Sequence, residues 1–188
     1  MSTATLAPSV TGSYTLDPSH SRLGFVARHA MVTKVRGSFD EFTGSITLDT
    51  DNPAASKAEV TMQVASVDTR NAQRDEHLRT NDFFDAPNYP EITFASTGVS
   101  QTGTDTFDVV GDLTIKGVTK SVTVAFEFTG AATDPYGNER VGFEGQTTIN
   151  RTEFGVNFNA KLDAGGVLVG EKITIELEIS AIKVPATS

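Results

Sequence analysis

Apolar and polar residues alternate with a period of two along most of the chain, and helical spacing is almost absent. Leu23, Phe25 and Ala27 alternate with Gly24, Val26 and Arg28. Val35, Gly37 and Phe39 form one stripe, and Phe42, Gly44, Ile46 and Leu48 another, with the parity switching at Asp40 and Glu41. A switch of that kind inside a continuous strand pattern predicts a bulge or a sharp bend. Val60, Met62 and Val64 continue the rhythm, as do Ile92 and Phe94. Further stripes begin at Phe107, Val122, Val141 and Ile173. Asn52-Pro53, Thr102-Gly103, Lys116-Gly117 and Asp134-Pro135-Tyr136-Gly137 supply turn chemistry between the runs.

One segment, Asn71 to Phe84, breaks the alternation and is rich in charges and helix formers. Asn71 can cap a helix and Pro87 forbids its continuation, which predicts a short helix from Ala72 to Thr80. A loop should then carry Phe83 and Phe84 inward. Asn150 to Gly166 is expected to hold a helical turn and a loop.

About eight strands, each with one apolar and one polar face, can form a two-sheet sandwich or a closed barrel. Several runs with their flanks reach roughly 10–12 residues, or about 35–40 Å, against a usual strand of about 5–6 residues. Strands of that length, with glycines at bends, favour an all-β fold built as an extended eight-stranded antiparallel barrel with one short helix and a helical turn. Eight strands enclose an interior that is either filled with side chains or holds one ligand.

The chain of 188 residues is expected to form one domain over residues 12–185, with a flexible segment at 1–11. It has no cysteine, which excludes thiol catalysis and thiolate metal sites. Fifteen basic against 24 acidic residues give a formal charge of −9, which argues against nucleic acid and against an anionic membrane surface as partners. No basic-then-apolar leader opens the sequence, and no apolar run approaches the ~18 residues of a membrane span. A soluble cytoplasmic protein is therefore expected, and a homodimer is compatible with the sequence.

Candidate chemistry is sparse. His20, His29 and His77 show no helical metal-pair spacing and suit surface or rim positions. No nucleophile elbow, phosphate loop or zinc-protease motif occurs. Asp17, Ser19 and His20 are close in sequence, but a DPSH segment is more simply a strand-ending turn. No catalytic residue, cofactor or metal is expected.

Inward Phe and Val in a β protein are core residues more often than a site, yet two features favour a bore. Gly37, Gly44, Gly111 and Gly145 have inward parity and contribute no side-chain volume, so the wall either pinches or leaves a lumen. Arg70, Arg74, His77 and Arg79 crowd the helix of an otherwise acidic protein and could meet a polar head group. Salt bridges to Asp75, Glu76 and Asp82 would explain the same cations.

At these residues the sequence resembles the YceI family of polyisoprenoid-binding, lipocalin-like barrels. The likeness runs from about Tyr14 to Ile182 through YTLDPSHSRLGFVARH, VRGSFDEFTGSI, RDEHLRTNDFFDAPNYPEITF, LTIKGVTKSVTV and INRTEFGV. It implies a lumen holding a long isoprenoid or other long-chain apolar lipid, such as a polyprenyl or quinone-like molecule. By that resemblance the tail should lie against Leu23, Phe25, Phe39, Val60, Met62, Val64, Leu113, Phe126 and Phe143. Leu78, Phe83 and Phe84 would gate one end, and Arg74, His77 and Arg151 would stand near the head group. Two alternatives are an enzyme using His77 or Asp17 as acid–base, and a filled barrel serving as a stress or interaction module.

Overall fold

The computed structural model describes residues 10–163 and 165–185. Their strands are β1 (Gly12–Leu16), β2 (Arg22–His29), β3 (Thr33–Phe39), β4 (Phe42–Leu48), β5 (Lys57–Gln63) and β6 (Val67–Asp68). After helix α1 (Ala72–Arg79) come β7 (Glu91–Gln101), β8 (Thr106–Ile115), β9 (Val118–Thr133), β10 (Glu139–Asn150) and β11 (Lys172–Lys183). Every neighbouring pair is antiparallel. The ring β1-β4-β5-β7-β8-β9-β10-β11 closes through β1 on β11 and forms an eight-stranded barrel.

The parity switch at Asp40 and Glu41 is a bend. On one side of it β3 pairs with β2 and β6, and on the other β4 pairs with β1 and β5. Phe39 and Phe42, of opposite parity, are consequently both buried. β1 and β2 bend in the same way at residues 17–21, so β11 meets β2 along its first half and β1 along its last residues. Length comes from uninterrupted alternation: β9 runs 16 residues, and β10 and β11 run 12 each. The Lys116-Gly117 turn has both residues at positive φ, 50° and 76°, the geometry that a tight hairpin between right-twisted strands requires.

Two apolar clusters occupy the barrel ends. Tyr14, Leu16, Leu48, Phe107, Val141 and Ala181 pack at the hairpin end. Phe39, Val64, Val67, Phe83, Ile115 and Phe154 pack at the helix end. There Asn71 caps α1 by accepting the Arg74 N–H at 2.9 Å, and the helix stops one residue short of the expected Thr80. The helical turn expected after Asn150 is a 3-10 turn at Arg151–Phe154. Of the segment expected to be flexible, residues 1–9 lie outside the described residues. Val10 is 4% exposed within the core, and the Thr11 and Thr50 hydroxyl oxygens lie 2.6 Å apart.

The seam where the barrel closes is tied by charge. Arg140 on β10 donates to Asp17 in the β1–β2 corner and to Asp134 in the β9–β10 hairpin, each at 2.8 Å. The Arg140 hydrogen bond holds both carboxyls well below the usual range, helped by Ser19 at Asp17 and by Asn138 at Asp134. Unfolded aspartates titrate near about 3.9, so the lowered folded values stabilise the protein above that pH. This stabilisation is lost as pH falls through the folded values. Arg140→Gln should therefore lower stability at pH 7, and its difference from the unmodified protein should shrink between pH 4 and pH 2 in urea unfolding. A difference that ignores pH would show that Arg140 acts through packing alone.

Candidate ligand-binding lumen

The barrel interior holds a cavity of about 160 Å³, bordered by Leu16, Leu48, Phe107 and Ile179 of the hairpin-end cluster and by Leu113 of the helix-end cluster. Alternation places its wall: each strand sends every second side chain inward, and the closed ring aims these at one axis. Leu23, Val60, Met62, Leu113, Phe126 and Phe143, all expected there from parity, line it together. Phe94, Phe107, Val124 and Leu177 also line it. They stand on the same alternating stripes, so the signal that finds them is the one already used. Pro53 and Ser56, from the β4–β5 connection, and exposed Lys57, the first residue of β5, also border the cavity, and Lys57 carries the sole charge among the lining residues. No apolar periodicity marks that connection.

The inward glycines do something other than pinch the wall or hollow it. A Cβ at Gly145 would overlap the Phe126 ring, one at Gly37 the Phe25 ring, and one at Gly111 the Phe94 ring. Phe126 faces Gly145 directly across β9 and β10, and Phe25 faces Gly37 across β2 and β3. At Gly44 the Glu59 carbonyl and Leu16 take the space. Each aromatic ring thus lies back against the wall in the volume that a side chain would have filled. The glycines store rings along the wall and keep them off the axis.

The other expected lumen residues belong to the helix-end plug. Val64 is 1% exposed and packs with Phe39 and Phe83. Phe25, Phe39 and Phe84 form a run of rings with centroids 5.7 Å apart at each step, and Leu78 packs against the same cluster. Lys116, in the β8–β9 turn, donates to the Asn81 carbonyl at 2.8 Å and the Gly155 carbonyl at 3.4 Å, which holds loop and turn against this end of the barrel.

Comparison with known proteins rests on this barrel and its motifs. The YceI-like domain model matches residues 14–181. The chain belongs to the YceI-like family. A UPF0312 protein of Staphylococcus aureus (strain USA300) is 40% identical over 165 residues, 87% of this chain and 94% of the relative. A UPF0312 protein of Azotobacter vinelandii is 43% identical over 137 residues, 73% of this chain and 71% of its own. Among solved structures, Burkholderia cenocepacia BcnA superposes with a TM-score of 0.78 at 27% identity, covering 88% of this chain and 98% of its own. A polyisoprenoid binding domain from Saccharophagus degradans, implicated in plant cell wall breakdown, superposes with a TM-score of 0.69 at 15% identity, covering 91% and 98%.

In this YceI-like barrel the polar residues expected at a head group are engaged elsewhere. Arg74 donates to the Thr69 hydroxyl at 2.7 Å and the Thr69 carbonyl at 2.6 Å. His77 Nε2 lies 2.9 Å from Asp82, with the ring edge-on to Phe83 and Phe158. Arg151 is 5% exposed and donates to the carbonyls of Gly170, Val156 and Val169 at 2.8, 2.7 and 3.0 Å. Burial lowers its pKa from the ordinary value, while nearby Glu171 works in the opposite direction. None of the three lines the cavity. Asp75 likewise bonds within its own corner, accepting the Thr69 N–H at 2.8 Å.

The Asp17, Ser19 and His20 corner of this YceI-like chain lacks the geometry of a nucleophile relay. Ser19 Oγ lies 3.1 Å and Asp17 Oδ2 2.7 Å from the same ring nitrogen, Nδ1. A relay needs the nucleophile on one ring nitrogen and the orienting carboxylate on the other. Among the described residues, no group of three His, Asp or Glu side chains is placed to hold a metal, and no helix is long and apolar enough to cross a membrane.

Proposed function

We propose that this YceI-like protein is a non-enzymatic carrier that takes a long-chain isoprenoid, polyprenyl or quinone-like, or a similar apolar lipid into the barrel lumen, to store, shield or deliver it. The observation that carries the reading is the cavity itself, apolar except for Ser56, Lys57 and Thr147, inside a closed wall. Such a space has almost nothing to offer a polar molecule and favours an alkyl or prenyl chain through burial alone. The related domain from Saccharophagus degradans is described as polyisoprenoid binding, which agrees with this reading at the level of the shared fold. The neighbourhood of Pro53, Ser56 and Lys57 is the proposed mouth, because the upper half of β7 lacks a β5 partner beyond Ala95.

At about 160 Å³ the cavity is smaller than the roughly 300–1,000 Å³ of most ligand sites. A long guest must therefore displace flexible liners such as Met62, which are unbranched and repack readily. Organic extraction and mass spectrometry of protein purified from its own host should recover an isoprenoid or similar lipid. With added probes of increasing chain length, affinity should rise about fourfold per CH₂ until the lumen is full, from ~0.8 kcal/mol of burial per CH₂. A protein that carries no lipid and takes up no probe would be a filled barrel, and the carrier reading would fail.

A further inference from the structure

The charge of the chain is unevenly placed. From Pro18 to Phe39 there is no acidic residue, while Arg22, Arg28, Lys34 and Arg36 all fall within that stretch of a protein carrying −9 overall. It is the β2–β3 hairpin: its β2 side is held near the tip by the Ala30 N–H on the Leu168 carbonyl at 2.7 Å and the Gly170 N–H on the Arg28 carbonyl at 2.9 Å, whereas β3 has β6 as its second neighbour only at Ser38 and Phe39 and leaves an open edge. Arg28 and Lys34 stand directly opposite each other across the two strands, both exposed. Like charges directly opposed destabilise a strand pair. Arg36, next along the same face, pairs with Glu176 at 3.3 Å.

The tip of this hairpin is apolar. Met31 is 62% exposed and Val32 76%. Ala30 and Met31 both have positive φ, 51° and 62°, in a turn closed by the Val32 N–H on the His29 carbonyl at 3.1 Å. Asn-Gly makes such a turn at lower cost, so the residues here are poorly suited to turning and well suited to presenting a greasy knuckle. A lysine on an edge strand guards against sheet-to-sheet pairing. That role explains neither the opposed cations nor the apolar tip.

We propose that the β2–β3 hairpin is a membrane-docking element: the tip of Met31 and Val32 enters an anionic lipid surface while Arg28 and Lys34 face its head groups. An apolar tip ringed by cations is the pattern of interfacial anchors, and anionic head groups relieve the Arg28–Lys34 repulsion. The overall negative charge does not prevent this, because at about 0.1 M salt charges more than ~10 Å from the surface are screened. The element lies at the helix end of the barrel, away from the Pro53–Lys57 mouth, so this inference stands apart from what the lumen holds.

Flotation of the full chain with phosphatidylcholine vesicles, with or without half phosphatidylglycerol, tests it. Binding is expected only to the anionic vesicles and should be released at high salt. Arg28→Glu with Lys34→Glu should weaken it by at least about thirtyfold, and Met31→Ser with Val32→Ser by about tenfold. Arg28→Glu alone puts a carboxylate opposite Lys34, so it should lose vesicle binding with no loss of melting temperature, which separates docking from folding. Equal binding to both vesicle types, or both double variants binding as the unmodified chain does, overturns the proposal. So does binding to poly-glutamate without binding to vesicles, which assigns the hairpin to an acidic protein.

Discussion

Phe126→Glu is expected to abolish uptake of a polyprenyl probe, with affinity falling at least about a hundredfold. Phe126 borders the cavity, faces Phe107 across β8 and Gly145 across β10, and meets Phe143 edge-on with centroids 6.5 Å apart. A carboxylate there has apolar neighbours and no cation within the lumen apart from Lys57 at its mouth. Phe126 is half-buried, so a carboxylate set there unpaired has a raised pKa and costs stability. The neutral acid is favoured in the folded state, so the destabilisation should be largest above the raised pKa and relax as pH falls through it. Phe126→Leu, apolar and smaller, should keep most of the binding. Fluorescent-probe titration with urea unfolding at pH 7 and pH 5 reads both effects. Unchanged uptake by the glutamate variant would place the guest outside this lumen.

Arg151→Met is expected to remove about 3–5 kcal/mol of stability while leaving probe affinity of the folded protein unchanged. The Arg151 guanidinium satisfies three backbone carbonyls, from Val156, Val169 and Gly170, and so binds the turn after β10 to the segment leading into β11. Methionine fills similar volume and satisfies none of them, stranding three acceptors in a site where Arg151 is 5% exposed. Arg151→Lys should recover only part of the loss, because an ammonium cannot span the planar fork. Urea unfolding gives the stability, and probe binding below the transition gives the affinity. An affinity loss in the folded variant would return Arg151 to the head group that sequence resemblance suggested.

These two residues mark how far the sequence could be read. Phe126 and Arg151 were both candidates for ligand contact. Phe126 could be placed because its orientation follows from strand parity, a local property. Arg151 could not, because what it touches depends on where residues 156 and 169–170 return in space. The same holds for Arg74, which bonds Thr69, and for Val64 and Phe39, which share inward parity with Val60 and Met62 but lie under the plug rather than along the open cavity. Parity distinguishes inside from outside and carries no information on height along the barrel axis. The inward glycines show a related limit: absent side chains suggested empty space, whereas a partner ring from the neighbouring strand covers three of them.

By itself the sequence determined the all-β alternation, the bend at Asp40 and Glu41, the capped helix from Ala72 and the apolar character of the interior, all of which are set by residues a few positions apart. Tertiary structure alone decided that the ring closes through β1 on β11, which inward side chains border the cavity and which lie in the plug, and that Arg74 and Arg151 are engaged in holding backbone. The physical reason is range. Periodicity and capping depend on near neighbours along the chain, whereas closure, plugging and the satisfaction of buried polar groups depend on segments brought together from as far apart as Tyr14 and Lys183.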